Sequence, residues 1–182
     1  MDTLGVVESR SIAAGVELAD GMLKFAQVEL TRAGTICSGR YLIFVSGDRV
    51  AVETAVGFAA DSGRALVGSF VISPISPQVL TALKKPSEPP ENGAIAVVEC
   101  RNVSSGVVAA DQAVKRADVQ VGRFVAGQGI NGKSYFVLVG DVAAVREAAL
   151  AARQSLGGQL LDLVIIPRPE PAVVRAVIKA VR

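Results

Sequence analysis

Two copies of one pattern fill this chain of 182 residues, and the duplication limits the folds that are available to it. The opening motif Gly5-Val6-Val7-Glu8 returns as Ala96-Val97-Val98-Glu99. The two motifs are 91 residues apart, and corresponding residues keep this offset as far as Arg32 and Arg123. A period of this length exceeds that of most solenoid repeats, so each copy is expected to be a small domain with its own sheet and helices.

The register between the copies changes by two residues. From Arg40 and Lys133 through Pro74 and Pro167 the offset is 93 instead of 91. The sequence therefore predicts two extra residues in the second copy, between Arg123 and Lys133 and nowhere else. Loops tolerate such insertions because they bury few backbone groups, so this segment is expected to be a loop.

A proline-rich segment separates the copies. Residues 84–93 contain three prolines and four charged side chains and have no amphipathic period. Proline removes backbone donors and interrupts helices and central strands, so this segment is predicted to be a linker. The predicted domains are residues 1–85 and 95–182, with the linker at 86–94.

Each copy shows the same order of elements, which is β-α-β-β-α-β followed by a short closing helix. This order is the split βαβ plan, so we predict an α+β fold with two tandem ferredoxin-like domains. Asp48 and Asp141 stand where the second helices begin and are expected to cap them. In the first copy the predicted strands are 4–8, 28–36, 41–46 and 66–72, and the predicted helices are 13–26, a segment starting after Asp48, and 77–84.

The composition excludes several classes of function. The chain has no histidine and two cysteines, so it lacks Ser-His-Asp and Cys-His nucleophile pairs and histidine-containing zinc sites. Its acidic residues recur at equivalent positions in both copies, which favours structural roles over an acid–base pair. A net charge of +2 and an aromatic content of 4% do not suit a nucleic-acid surface. We expect neither an enzyme nor a nucleic-acid-binding protein.

The apolar residues are numerous but dispersed. They make up 51% of the chain, yet no stretch approaches the ~20 residues that span a bilayer. The first residues also lack the basic region of a signal peptide, so we expect a cytosolic protein without a membrane partner. A chain with so many small apolar residues is expected to bury surface between subunits, and an oligomer is therefore predicted.

The order, spacing and duplication of the motifs resemble one family, the bacterial microcompartment shell proteins in their tandem-domain form. The resemblance covers nearly the whole chain. It implies two shell domains in unpermuted order, a pseudohexameric homotrimer, and tiling with other shell proteins around a cytoplasmic compartment. The matching motifs are Gly5–Glu8, Ala19–Ala26, Ala110–Ala117, Gly47-Asp48, Gly140-Asp141 and Val164–Pro169.

Cys37 is the residue to which the resemblance gives the most specific chemical role. Within the family the sequence is most similar to the iron-sulfur shell trimers of propanediol-utilisation compartments, whose first domain has a cysteine in its pore loop. The resemblance implies that three Cys37 thiolates meet on a threefold axis and bind a [4Fe-4S] cluster that relays electrons across the shell, with an encapsulated redox enzyme as a partner. Three thiolates would also suffice for a [3Fe-4S] cluster. A plain pore, or a lone cysteine in a tight turn, is the simpler interpretation. Cys100 is expected to be structural.

The loop with the insertion contains the spacing of a G-x-G-x-x-G nucleotide fingerprint. The segment after it has the pattern of a strand instead of a helix, so a nucleotide site is not expected. The repeat equates this loop with the Cys37 turn, and both are expected to line the pore. The family has proline at Ser38 and lysine at Arg40, and serine is expected to loosen the turn. The predicted pore residues are Ser38, Gly39, Gly127, Gln128, Gly129, Ile130, Asn131 and Gly132.

Lys24 and Lys115 occupy equivalent positions on the first helix of each copy, where a solvated helix face is the simplest interpretation. The resemblance implies that they contact neighbouring discs, together with Arg168. The first copy has no arginine in its corresponding Pro74–Pro77 segment, so only one edge type is expected to have the full set. The alternative function is a stand-alone ferredoxin-like trimer that regulates or binds a small ligand and does not tile.

Overall fold

The computed structural model describes residues 2–88 and 93–179, so residues 89–92 of the predicted linker lie outside the described residues. By its contacts the chain divides into two compact units. The first unit holds the chain up to Ile75 together with Asn102–Ser104 and Gly127–Gly132; the second holds Ser76–Arg101, Ser105–Ala126 and the chain from Lys133 onward. This division follows contacts instead of the repeat, and the sequence-based domain boundaries stay a prediction.

The first repeat contains a four-stranded antiparallel sheet in the order β2-β3-β1-β4, as the split βαβ plan requires. Every predicted element of this repeat is present, with ends within two residues of those predicted. The elements are β1 (Thr3–Ser9), α1 (Ile12–Phe25), β2 (Glu29–Ile36), β3 (Arg40–Gly47), α2 (Arg49–Asp61), β4 (Leu66–Ile72) and α3 (Pro77–Ala82).

The second repeat builds the same sheet, in the order β6-β7-β5-β8, so the tandem ferredoxin-like α+β fold is confirmed. Among the described residues, no helix has the length and apolar character needed to cross a membrane. The elements are β5 (Ala94–Cys100), α4 (Val103–Arg116), β6 (Gln120–Ala126), β7 (Ser134–Gly140), α5 (Val142–Leu156), β8 (Leu160–Ile166) and α6 (Pro171–Ile178).

Strand pairing locates the two-residue insertion. Thr35 pairs with Tyr41 in the first repeat, and Ala126 pairs with Ser134 in the second. The offset is thus 91 on β6 and 93 on β7, and the extra residues lie in the loop between these strands. This part of the prediction is confirmed.

The prediction that no other insertion exists is wrong. Ser9 pairs with Leu66, whereas Cys100 pairs with Leu160, so the last strands are offset by 94 residues. The extra residue precedes β8, because α5 has 15 residues where α2 has 13. The longer helix ends on the buried side chain of Leu156, which supports its last turn.

The core of the first unit lies between one face of its sheet and the helices α1 and α2. Alternate strand residues point to the same face, so β1 contributes Val7 and β3 contributes Ile43 and Val45. The helices contribute a stripe of small and apolar side chains at helical spacing. These are Leu18, Ala19, Met22, Val52, Ala55, Val56 and Ala59.

Helix capping differs from the prediction. Asp48 and Asp141 occupy the N-cap positions of α2 and α5, but their side chains make no capping hydrogen bond. Ser11 caps α1, since its hydroxyl oxygen accepts from the Ala14 N–H at 3.5 Å. The acidic N-caps therefore contribute through their charge near the helix dipole instead of through a hydrogen bond.

Candidate functional site

The site is centred on Cys37, which opens the tight turn between β2 and β3. Its side chain is partly exposed. Ser38 and Gly39 follow with φ values of 67° and 68°, in the left-handed region that glycine adopts most easily. The turn is thus short enough to hold the thiol at its tip and not inside the core.

The loop Gly127–Gly132 belongs to the same compact unit and lies against this turn. The Gly129 N–H donates a hydrogen bond to Cys37 Sγ at 3.1 Å. The Cys37 N–H donates to the Gly127 carbonyl at 3.3 Å, and the Gly132 N–H closes the loop on the same carbonyl at 3.2 Å. The structure therefore brings together the two segments that the repeat equated.

Two glycines in this loop are required by the close approach of the turn. A Cβ atom at Gly127 would lie 2.9 Å from the Ile36 side chain, and one at Gly132 would lie 2.9 Å from the Cys37 carbonyl oxygen. Both also have positive φ. Strand β7 and not a helix follows, as the sequence pattern predicted, so the loop lacks the helix N-terminus that a dinucleotide fingerprint uses.

Ser38 links the two segments by a hydrogen bond. The expectation that serine loosens the turn relative to proline stays a prediction. The Ser38 hydroxyl donates to the Asn131 carbonyl oxygen at 3.0 Å and also contacts the Asn131 side-chain oxygen. Asn131 has a φ of 55°, a conformation that asparagine tolerates better than most residues. A proline at position 38 would lack this hydroxyl.

An ion pair with a buried carboxylate contacts the Gly127–Gly132 loop. Arg40 Nη1 donates to Glu8 Oε1 at 3.0 Å and to the Gly132 carbonyl at 3.3 Å. The other Glu8 oxygen accepts from the backbone N–H groups of Val103 and Ser104 at 3.0 and 2.9 Å. Glu8 is fully buried, and three donor contacts satisfy its charge.

Sequence reasoning missed the role of Glu8 and Arg40. The available signal was the repeat itself, because an acid at the end of the first strand and a base before the third strand recur as Glu99 and Lys133. Lys133 Nζ lies 3.0 Å from Glu99 Oε1, so the second repeat contains the same pair.

The two cysteines have different environments. Cys100 is fully buried on β5, and burial raises the pKa of its thiol to about 12. It therefore keeps its proton at neutral pH and acts as a small apolar side chain. Cys37 is the cysteine that solvent and ligands can reach. Within the described residues, no group of three or more histidine, cysteine or acidic side chains could hold a metal ion in one chain.

The predicted edge residues lie on helices α1 and α4 and on the segment after β8. Lys24 pairs with Asp20 at 2.6 Å on an exposed face of α1, and Arg168 is exposed. Lys115 pairs with Asp111, whose buried carboxylate also accepts the Ser76 N–H at 2.8 Å. The two equivalent lysines thus have unequal settings, because Lys24 pairs with an exposed acid and Lys115 neutralises a buried one.

Comparison with known proteins identifies the family of this two-repeat chain. The model of the BMC domain matches residues 3–75 and 94–169, which are the two repeats. The chain belongs to the BMC domain family. BMC domain proteins of this kind build the shells of bacterial microcompartments, and the chain is a structural shell protein.

Proteins of this family match most of the chain in both sequence and structure. The bacterial microcompartment shell protein PduT of Citrobacter freundii is 37% identical over 179 residues, which cover 97% of each chain. A solved microcompartment protein from Desulfitobacterium hafniense has a TM-score of 0.82 at 37% identity and covers 96% of this chain and 99% of its own. The fused, permuted hexameric shell protein MSM0275 has a TM-score of 0.63 at 28% identity, and the match covers 85% of this chain and 81% of its own.

Proposed function

We propose that three copies of this shell protein form a ring, and that the Cys37 thiolates of the three copies hold an iron-sulfur cluster where the ring closes. The observation that carries the proposal is the hydrogen bond from the Gly129 N–H to Cys37 Sγ, at 3.1 Å, on a partly exposed side chain. Hydrogen bonds to cysteine sulfur are among the interactions by which proteins stabilise such clusters and set their potentials.

The chemistry of the donors fits a cluster shared between copies. One chain offers one accessible thiol and no histidine, so a single copy cannot hold a cluster. Three thiolates bind three irons of a [4Fe-4S] cluster and leave the fourth to a solvent-like ligand. The bound cluster would supply one-electron transfer across the shell, toward a redox enzyme inside. The Gly127–Gly132 loop would limit solvent access to it.

The exposure of α1 supports the ring. Ile12 and Val16 on α1 are 42% and 50% exposed, whereas their repeat equivalents Val103 and Val107 on α4 are fully buried. The same helix face is thus covered in one repeat and open in the other. In the proposed ring a second copy of the chain covers this open face, and head-to-tail contacts of this type close into rings. Three two-domain chains supply the six domains of a pseudohexagonal disc.

The cluster is tested by anaerobic purification of the wild type, Cys37→Ala and Cys100→Ala. We expect the wild type and Cys100→Ala to be brown, with about four irons and four sulfides per three chains, and Cys37→Ala to be colourless. Electron paramagnetic resonance of the reduced protein identifies the cluster type. Cys100→Ala is the matched control, because it removes the buried thiol and leaves the accessible one.

Two results would contradict the cluster. One is a trimer that stays colourless after anaerobic incubation with iron and sulfide, which would leave a ring with a plain pore. The other is Cys37→Ala that keeps its colour and iron content. Discrete trimers that never tile, but bind a metabolite, would instead favour the regulatory or ligand-binding alternative.

The disc edge gives a separate prediction. Replacing Lys24 and Lys115 together by alanine is expected to leave a folded trimer but to impair two-dimensional sheets, because it removes cations from the proposed edge. The trimer is expected to be less stable than the wild type, since the buried Asp111 carboxylate loses its counter-ion. Sheets are scored by negative-stain electron microscopy and trimers by size-exclusion chromatography. Lys84→Ala, on an exposed lysine outside the predicted edge, is the control. Unchanged sheets in the double variant would contradict the role of these lysines.

A further inference from the structure

Glu8 performs a task that the repeat predicts should occur twice. Glu8 lies next to the last residue of β1. Its carboxylate pairs with Arg40 and accepts hydrogen bonds from the N–H groups of Val103 and Ser104. These two residues begin α4, whose first-turn N–H groups have no partner within the helix. Glu8 therefore caps a helix of the other repeat, at the end where a negative charge is most favourable.

Glu99 stands at the equivalent place in the second repeat. Glu8 pairs with Leu42 across the β1–β3 ladder, and Glu99 pairs with Tyr135 across β5–β7 at the same step. Glu99 also has its cation, Lys133, at 3.0 Å. Its side chain is nevertheless 40% exposed, whereas that of Glu8 is fully buried. The second repeat thus has the Glu99 carboxylate and its cation Lys133, but among the described residues Glu99 has no helix N-terminus against it comparable to the one that Glu8 caps.

The missing helix terminus exists in the chain, at the start of α1. The repeat equivalents of Val103 and Ser104 are Ile12 and Ala13, the first two residues of α1. Ser11 caps this helix through the Ala14 N–H, which is a different donor. The N–H groups of Ile12 and Ala13 belong to the first turn, where an external acceptor is needed.

We infer that Glu99 of one copy caps α1 of a neighbouring copy by accepting the N–H groups of its Ile12 and Ala13. Lys133 then lies beside the neighbour's Gly39 carbonyl, as Arg40 lies beside that of Gly132. This inference rests on the proposed ring and specifies its contact. In a head-to-tail ring each copy donates one Glu99 and receives one at α1, so a trimer contains three such contacts.

Glu99→Ala tests the contact, with Glu53→Ala as the matched control. Glu53 is an acid of similar exposure that pairs with Arg49 on the surface of α2. A charge-assisted contact contributes about tenfold to an equilibrium, so three contacts change trimer formation about thousandfold. For a monomer–trimer equilibrium the midpoint concentration varies as the inverse square root of the association constant, so a thousandfold fall in that constant raises the midpoint about 30-fold. Sedimentation velocity across a dilution series measures it, and a urea series does so where dilution alone fails to dissociate the ring.

A double-mutant cycle with Ile12→Pro identifies the donor. Proline is tolerated at the first position of a helix, and it removes one of the two N–H groups that Glu99 is inferred to accept. The loss of the Ile12 side chain is the same in both backgrounds and cancels in the cycle. We expect Ile12→Pro to weaken the wild-type ring several-fold more than it weakens the Glu99→Ala ring.

The possible failures are distinguishable. A wild type that stays monomeric at all concentrations contradicts the ring itself. A ring in which Glu99→Ala and Glu53→Ala dissociate within threefold of each other contradicts the Glu99 contact and leaves the ring standing. Effects of Ile12→Pro and Glu99→Ala that simply add contradict the assignment of the donor.

Discussion

Replacing Glu8 by alanine is expected to lower the free energy of unfolding by roughly 3–5 kcal/mol, the range for breaking a buried ion pair. The carboxylate is fully buried and receives donors from Arg40, Val103 and Ser104. Without it, two backbone N–H groups lose their acceptor inside the protein, and the mostly buried guanidinium of Arg40 loses its counter-ion. The Arg40 contact to the Gly132 loop is expected to loosen as well.

Urea unfolding followed by far-ultraviolet circular dichroism measures this loss, at one fixed chain concentration because assembly contributes to stability. Glu53→Ala removes an exposed surface pair and should change stability by less than about 1 kcal/mol. Glu8→Gln keeps one acceptor oxygen without the charge, so its loss of stability should fall between those of Glu8→Ala and Glu53→Ala. A Glu8→Ala protein as stable as Glu53→Ala would show that the capped helix turn does not depend on this carboxylate.

The fold was predictable because its two signals are periodic. Helical spacing in α1 and β-branched runs such as β1 place each element, and the duplication confirms each assignment a second time. The one-residue insertion before β8 was missed because Pro74 and Pro167 coincide at the earlier offset. Two prolines near a turn match easily by chance, whereas the ladder fixes the register residue by residue.

The candidate site was predictable only in part. The repeat equates the Cys37 turn with the Gly127–Gly132 loop, and the two do meet. It gives no information about the hydrogen bond of Ser38 to Asn131, which depends on the left-handed backbone of both residues. The burial of Glu8 was equally hidden, since periodicity locates apolar faces but does not show which charged side chain has enough donors to be buried.

The helix–sheet packing of the first repeat leaves no room at Gly15, and Gly15→Ala is expected to destabilise the protein by about 2–3 kcal/mol. A Cβ atom there would lie closer than 3.0 Å to both Cβ and Cγ of Tyr41. Cβ of Tyr41 is fixed to the strand backbone and cannot rotate away, so α1 itself must move off the sheet. The gain of about 0.5–1 kcal/mol from replacing a helical glycine does not offset this.

Two further glycines make this prediction specific to the close contact. Gly57 lies inside α2 with nothing within 4 Å of an added Cβ, so Gly57→Ala should stabilise by up to about 1 kcal/mol. Gly106 is the repeat equivalent of Gly15, and an added Cβ there would meet the buried Ser134 hydroxyl. Turning this hydroxyl breaks its hydrogen bond with Cys100 but moves no backbone, so Gly106→Ala should cost less than Gly15→Ala. Thermal and urea unfolding of the three variants should therefore rank Gly57→Ala above the wild type, then Gly106→Ala, then Gly15→Ala. If Gly15→Ala equalled Gly57→Ala, helix propensity would outweigh packing here, and the close approach of α1 to β3 would not limit the fold.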